Sequence, residues 1–560
     1  MRRSTLWLAS ATALGGVLAG APAFAQQVGA PTLAPPATSS AGAQPSGRSH
    51  YVQPYVELNQ VVTADLSNDD DVLTYTSVAA GIDAGVQTAR AQGQISYRYE
   101  RRFDYQKDVG DDDIHSGLAR VGVKLSPGLS VEAGGIATRT RSDIRGDAPG
   151  NFAGNVDNVT QVYSAYAGPT FGDRLGPVDV NAAYRFGYTK VEAPGFTGVD
   201  PLLPPLDAFD DSTSHIVTAS VGTPAGRTLP IGITLSGAYE REDTGQLDQK
   251  YEGYYGRGDA VVPVSSTFAV RGGVGYEKIE VTQRDALSVG STVVTDGDGR
   301  FITDPNSPER IAYNTDGLIW DAGVIWRPSP RLELQANVGQ RYGGETYFGS
   351  LNWAMAKDMG LQVVVYDGIE TFGRQLRDGL AALPTSFDSQ LDPFDQQFSG
   401  CVFGSQPGQA GGIGGCLNDV FQSVQTASYR ARGVDGVFSV QRGLTSFGVG
   451  GGYANRKLFA PRNAPGVVYA GVEDQSAYGQ LFWSRNLSRV SAIDANLFAN
   501  WYASGLPGSV DVYGAGATAS YSHSFGRLGT LASLGVYAFD DELTKTQWSA
   551  QALLGARYTF

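Results

Sequence analysis

The side chains able to do chemistry in this 560-residue chain are few, and they are badly spaced for catalysis. The four histidines, His50, His115, His215 and His523, fall on distant segments. A general base must lie within hydrogen-bond reach of the group it deprotonates, and the sequence holds neither an H-E-x-x-H pair nor a nucleophile elbow. The sequence therefore offers no catalytic residue, no cofactor site and no metal site, and the chain is classed as a non-enzyme. Acidic runs at Asp69-Asp70-Asp71, Asp111-Asp112-Asp113, Asp210-Asp211 and Asp540-Asp541 have the ligand type for divalent cations bridging to lipopolysaccharide phosphates. They lack the D-x-D-x-D-G order, so a solvated acidic rim is the preferred reading. The only cysteines, Cys401 and Cys416, lie 15 apart without a C-x2-C pattern, which argues against zinc. In an oxidising compartment they are expected to form a disulfide, closing a loop with a stabilisation of about 3 kcal/mol.

Charged residues also recur on one side of two-residue alternations. Gln94, Ser96, Arg98, Glu100 and Arg102 oppose Ile95, Tyr97, Tyr99 and Phe103. Arg331, Glu333, Gln335, Asn337 and Arg341 oppose Leu332, Leu334, Ala336 and Val338. Period 2 is the signature of a strand, and ions on one face with apolar residues on the other fit a wet lumen inside a lipid-facing wall. Arg98, Glu100, Arg102, Arg120, Lys124, Arg331, Glu333, Arg341 and Arg557 are the predicted lumen-lining charges. Two readings compete for them. They tune solute selectivity, or they pair across strands because the lumen is wet. Tyr97, Tyr99, Trp483, Trp501 and Trp548 read as interfacial girdle residues.

The elements that must position these residues begin after a leader. Arg2 and Arg3, an apolar stretch from Leu6 to Leu18 and the small-x-small site Ala23-Phe24-Ala25 read as a signal peptide over residues 1–25, cut between Ala25 and Gln26. Residues 26–50, rich in Pro, Ala and Ser, read as a disordered linker too small to plug a barrel, which disfavours an energised receptor. A spanning helix needs an apolar run of about 18 residues or more. No later run approaches that length, so no transmembrane helix is expected. Seventy-three glycines, 11% aromatic residues and only 3 methionines suit strands and tight turns over a helical core. A net charge of −14 excludes nucleic acid as a partner.

Residues 51–560 predict an all-β fold, a single transmembrane antiparallel barrel of about 22 strands (range 18–24) with a short helical insert. Short turns near 126–128, 264–266, 328–330, 442–444, 487–489 and 526–528 alternate with long polar loops, placing the turns and both termini in the periplasm of a Gram-negative outer membrane. In the last segment Trp548, Ala550, Ala552, Leu554, Ala556, Tyr558 and Phe560 alternate with Gln547, Ser549, Gln551, Leu553, Gly555, Arg557 and Thr559. Tyr558 and Phe560 thereby resemble the terminal signal read by the barrel-assembly machinery. Expected partners are that machinery, outer-membrane lipid and lipopolysaccharide.

Residues 341–372 (RYGGETYFGSLNWAMAKDMGLQVVVYDGIETF), the LSPGLSVEAG turn at 125–134 and the GARYTF ending at 555–560 resemble the outer-membrane β-barrels found beside exopolysaccharide and PEP-CTERM protein-sorting systems. That resemblance implies an envelope role near polysaccharide secretion, with periplasmic polysaccharide-export proteins as partners.

Residues 371–427 break the two-residue rhythm. Ile369, Phe372, Leu376, Leu380 and Leu383 recur at helical spacing, as do Leu417, Val420, Phe421 and Val424. This extracellular, disulfide-bearing insert either folds inward to constrict the lumen or stands outside as a cap. The expected function is a passive pore or export channel for polar solute or polysaccharide. The alternative is a scaffold of a secretion system that conducts little.

Overall fold

A computed structural model describes residues 49–67, 72–105, 112–143, 145, 158–192, 199, 203–290, 292–388, 391–404, 413–422, 424–506, 508–541 and 546–560. The leader with its Ala25–Gln26 junction, nearly all of the linker and Asp69-Asp70-Asp71 lie outside the described residues. Ser49 and His50, assigned to the linker by sequence, already belong to the first strand.

The wall strands are β1 (Ser49–Asp65), β2 (Val72–Gln87), β3 (Ala91–Asp104), β4 (Asp112–Ser126), β5 (Leu129–Arg141), β6 (Val159–Leu175), β7 (Val178–Glu192), β8 (Asp211–Thr223), β9 (Gly232–Thr244), β10 (Lys250–Pro263) and β11 (Phe268–Gln283). Two short loop strands, β12 (Ser288–Val289) and β13 (Thr292–Val293), precede β14 (Arg310–Ser329), β15 (Leu332–Arg341), β16 (Gly344–Ala356) and β17 (Met359–Glu370). The insert contributes helix α1 (Phe372–Ala382) and the small strands β18 (Phe387–Asp388), β19 (Cys401–Gly404) and β20 (Gly414–Cys416). The wall resumes with β21 (Ser428–Arg442), β22 (Thr445–Phe459), β23 (Glu473–Asn486), β24 (Ser491–Ser504), β25 (Val512–Phe525), β26 (Leu528–Asp540) and β27 (Gln547–Thr559).

Each wall strand pairs antiparallel with its neighbours, giving one 22-stranded sheet that closes where β1 meets β27. The seam runs from Tyr55↔Thr559 to Asp65↔Ser549, and the Phe560 N–H donates to the Pro54 carbonyl at 3.0 Å. Closure is obligatory for a sheet in hydrocarbon, because an edge would leave N–H and C=O groups without partners. Among the described residues no helix is long and apolar enough to cross a membrane.

At one end the connections are short: 88–90, 127–128, 176–177, 224–231, 264–267, 330–331, 357–358, 443–444, 487–490 and 526–527. Two-residue turns there place Gly443 and Gly526 at φ 62° and 67°, a region that favours glycine. The insert and most of the longer connections lie at the opposite end, which also holds the two-residue turn 342–343, and the entry at Ser49 and the terminal Phe560 share the short-turn end.

The outer face is apolar. On β27 Trp548, Leu554 and Tyr558 are exposed while Gln551 and Leu553 are buried. Ten residues separate Trp548 from Tyr558, about 33 Å of strand, which at a tilt of about 40° is about 25 Å of height, the apolar band of a membrane barrel. Aromatic side chains mark both margins. Tyr99, Tyr188, Tyr239 and Tyr276 are exposed towards the loop end, and Trp326, Tyr521, Phe525 and Tyr558 towards the turn end. Register decides which face each residue occupies, since a one-residue slip turns every side chain over. Inserting one alanine after Ala552 would turn Leu554, Ala556 and Tyr558 inward. We expect this variant to lose the closed barrel, read as protease sensitivity of membrane fractions where the parent chain resists.

Candidate functional site

The site is the lumen and what fills it. Residues 371–427 leave the wall between β17 and β21, which pair directly down to Glu370↔Tyr429. Their described residues bond the inner faces of the wall strands. Helix α1 forms because Phe372, Leu376 and Leu380 fall on one face and bury together with Leu417, Val420 and Phe421. Thr371 caps it, its Oγ1 accepting from the Arg374 N–H at 3.3 Å. Pro384 stops it by holding Leu383 extended. The second helical stretch expected from Leu417, Val420, Phe421 and Val424 is only a 3-10 turn at Val420–Gln422. Its apolar residues are buried by packing on α1, without a helix of their own. Cys401 and Cys416 face each other across β19 and β20 and form a disulfide.

The insert meets inward-facing groups on several strands of the wall. On β3, Gln94 brackets Phe387 with bonds of 2.9 and 3.0 Å to its backbone, and Arg102 Nη2 donates to the Phe394 carbonyl at 3.4 Å. Arg120 on β4 donates to the Ala381 and Leu383 carbonyls at 3.0 and 3.2 Å. The Arg139 N–H of β5 donates to Gln397 Oε1 at 2.7 Å. Further round the ring, Gln480 of β23 accepts from the Cys401 N–H at 2.8 Å, and Tyr537 of β26 donates to Asp392 at 2.9 Å. Ser439, close to the turn end of β21, donates to the Ile413 carbonyl at 3.3 Å. The insert thus descends from the loop end almost to the turns.

Its strongest anchor is ionic. Arg374 and Arg377 are buried and both donate to Glu240 of β9, at 2.7 and 2.5 Å, while Thr371 bonds Glu242. The Arg374 guanidinium also lies 3.6 Å from the centre of the Tyr251 ring on β10, a desolvated cation–π contact. Gly373 makes the approach possible, since a Cβ there would collide with Ser212 and Glu242. Arg456 of β22 holds the other flank, donating to the Val420 carbonyl at 2.6 Å.

Loops close over this core. Asp207 is buried beneath them, and its Oδ1 accepts from Gln246 Nε2 at 2.6 Å and from the Phe301 N–H at 2.9 Å. Between insert and wall remains a cavity of about 120 Å³, bordered by Asp392, Asp395, Gln480, Asn496, Phe498 and Tyr502.

The predicted lumen charges separate into three groups. Arg98, Glu100, Arg102, Arg120 and Arg341 are buried on inward faces. Arg98 Nε binds Glu57 at 2.9 Å, Arg102 Nε binds Glu100 at 2.9 Å, and Arg341 Nε binds Glu277 at 2.6 Å. Arg557 is partly open, pairs with Asp83 and stacks on Tyr55. Lys124 and Arg331 correct the expectation. Both are exposed at the short-turn rim, because their strands end there, and Glu333 just inside it pairs with Arg327 at 2.7 Å. Ion pairing within and between strands therefore engages most of these wall charges. It also engages Arg257, which holds Asp259 on its own strand at 2.7 Å and Asp321 on β14, none of them picked out by sequence.

The remaining candidates lie elsewhere. His115, His215 and His523 point outward from β4, β8 and β25. His115 bonds the Tyr97 hydroxyl at 2.7 Å and His215 the Tyr184 hydroxyl at 2.9 Å. Asp113, assigned to a loop, is an outward residue of β4 paired with Arg101. Asp210 receives Arg300 at 3.2 Å, and Asp540 receives Thr546 at 2.6 Å. Arg374, Arg377 and Asp207 escaped the sequence reading. The only signal was a pair of arginines three apart on the helix, away from the face that carries Phe372, Leu376 and Leu380.

The fold likenesses are to large barrels. The chain is similar to the FrpB iron transporter of Neisseria meningitidis, at 10% identity and a TM-score of 0.41, over 91% of this chain and 81% of that one. It is similar to the ferric-catecholate import receptor Fiu of E. coli K12, at 12% identity and a TM-score of 0.42, over 90% and 81%. It is also similar to OmpT of Vibrio cholerae, at 9% identity and a TM-score of 0.26, over 91% and 98%. No family model matches the chain, and no curated protein matches it in sequence.

The anchor and the cavity can each be tested. Glu240→Gln removes the carboxylate shared by two buried guanidinium groups, leaving Arg377 to Asp378 and Arg374 to the more distant Glu370, and losing one partner of a buried pair costs about 3–5 kcal/mol. The expected outcome is faster hydrogen exchange in 372–383 while the wall stays protected. The cavity predicts a pH dependence. Burial pushes the Asp392 carboxyl up to about 6 and holds Asp395 well above the usual carboxylate range, with Asp392 adding to the effect. Tyr537 faces the first of these, and Arg102 and Arg139 face the second. A carboxyl with a raised folded pKa stabilises packing while protonated. Packing is thus tightest below the ordinary value of 3.8 and loosens as pH rises to about 6. Exchange in 391–404, corrected for its intrinsic pH dependence, is expected to quicken over that interval, and Asp392→Asn to remove much of the change.

Proposed function

We propose that this chain is an outer-membrane β-barrel acting as a gated channel for polar solute, with residues 371–427 as the gate and no catalytic role. The observation that carries the reading is the insert itself. It lies across the lumen, bonded to inward side chains of β3, β4, β5, β9, β23 and β26, yet remains part of one wall connection. A 22-stranded barrel is wider than the 16–18-stranded porins, which already leave an aqueous channel, so passage is set by whether the insert stays in place. The membrane setting is supported by the apolar band between two aromatic margins. With that setting go periplasmic short turns and termini, lipid and lipopolysaccharide contacts, and assembly through the Tyr558–Phe560 ending. The solute class is polar because the inner wall is built of ion pairs and amides. Export of a polysaccharide rests on the resemblance of residues 125–134, 341–372 and 555–560 alone.

Planar-bilayer recording tests the proposal. The parent protein is expected to give rare, brief openings. Replacement of 371–427 by a short Gly-Ser link between Glu370 and Ser428 is expected to give large, steady steps. A barrel silent in both forms points instead to a scaffold that conducts little.

A further inference from the structure

The charge on the short-turn end is unevenly placed. Around the ring from β21 through the β27–β1 seam to β5, the turns carry Arg442, Arg485, Arg489, Arg527, Arg90 and Lys124, all exposed. No Asp or Glu lies in these turns or within two residues of them. Among the described ion pairs none includes any of the six, although the C-terminal carboxylate of Phe560 lies on the same arc. On the other half of the rim most cations sit beside an acid, Arg331 being the exposed exception. Arg174 and Arg227 share Asp179 at 3.0 and 3.2 Å, Arg327 holds Glu333 at 2.7 Å, and Lys357 is followed by Asp358. In a chain of net charge −14, six cations without counter-charges on one arc call for an anionic partner.

We infer that this arc binds the headgroups of anionic phospholipids in the leaflet that meets the short turns, an inference that rests on the membrane-barrel reading above. Two observations select a leaflet over a folded acidic protein. First, exposed apolar residues stand beside the cations: Leu125 beside Lys124, Leu444 near Arg442, Leu487 between Arg485 and Arg489, and Phe525 and Leu528 around Arg527. Phe525, Leu528 and Leu125 share the outward faces of their strands. An apolar side chain in the acyl region with a cation at the phosphate level is the arrangement of a membrane interface. Second, the arc is long. Strands about 4.8 Å apart and tilted about 40° advance about 12 Å per turn, so the arc follows about 60 Å of perimeter. A standard protein interface of about 800 Å² per partner is far more compact, whereas a leaflet already surrounds the barrel.

The full mature chain, reconstituted in nanodiscs of equal zwitterionic and anionic phospholipid, provides the test, with retained lipid counted by native mass spectrometry. The parent is expected to retain anionic lipid in excess of its share, and the excess to fall at high salt. Arg442→Gln/Arg489→Gln/Arg527→Gln is expected to weaken retention about fivefold per charge removed. Arg174→Gln/Arg227→Gln, on the other half of the rim, is expected to match the parent. Equal retention of both lipids by the parent overturns the inference. So does equal loss in the control variant, or an arc variant that keeps its lipid and loses an acidic protein partner instead. A barrel that conducts nothing yet retains anionic lipid leaves the inference standing and sinks only the channel reading. One that enters no bilayer sinks both.

Discussion

A backbone amide that faces hydrocarbon has no water to bond, and that single constraint organises this molecule. It forces the sheet to close, which the β1–β27 seam does over a continuous register from Tyr55 to Asp65. Closure with 22 strands then makes a lumen too wide for wall side chains to fill. The wall answers locally with ion pairs such as Arg257–Asp259 and Arg341–Glu277, which neutralise one another instead of facing open water. The chain answers globally with an insert long enough to reach the opposite wall. Its polar backbone is satisfied by the same inward residues, so wall and insert are two halves of one hydrogen-bonded interior.

Much of this architecture was legible because barrel strands repeat a simple code. Alternation in 94–103 and in 547–560 assigned the faces of β3 and β27, and short turns flanked by longer loops gave the strand count and the placement of the ends. Helix α1 was visible in the spacing of Phe372, Leu376 and Leu380. Leu417, Val420, Phe421 and Val424 misled, because burial in a compact insert produces the same spacing as a helix without requiring one. Lys124 and Arg331 misled for a different reason. Their parity points inward, but a strand that ends at the rim has no lumen left to line.

What stayed hidden was contact between distant segments. Glu240 and Arg374 are 134 residues apart, and nothing local in either strand or helix announces the pair. Asp207 beneath the loops is similar, its partners Gln246 and Phe301 coming from two other connections. Periodicity reports which way a side chain points, and only the closed ring decides what it meets there.

The insert leaves and rejoins the wall at residues that sit opposite one another, Glu370 and Tyr429. It is therefore a tethered ligand of its own barrel. If it swings out, it stays at a high effective concentration, so re-entry is a first-order event that dilution does not slow. The Cys401–Cys416 link shortens the free chain and raises that concentration further. In the gated-channel reading proposed above, closure would therefore reset itself without a second protein.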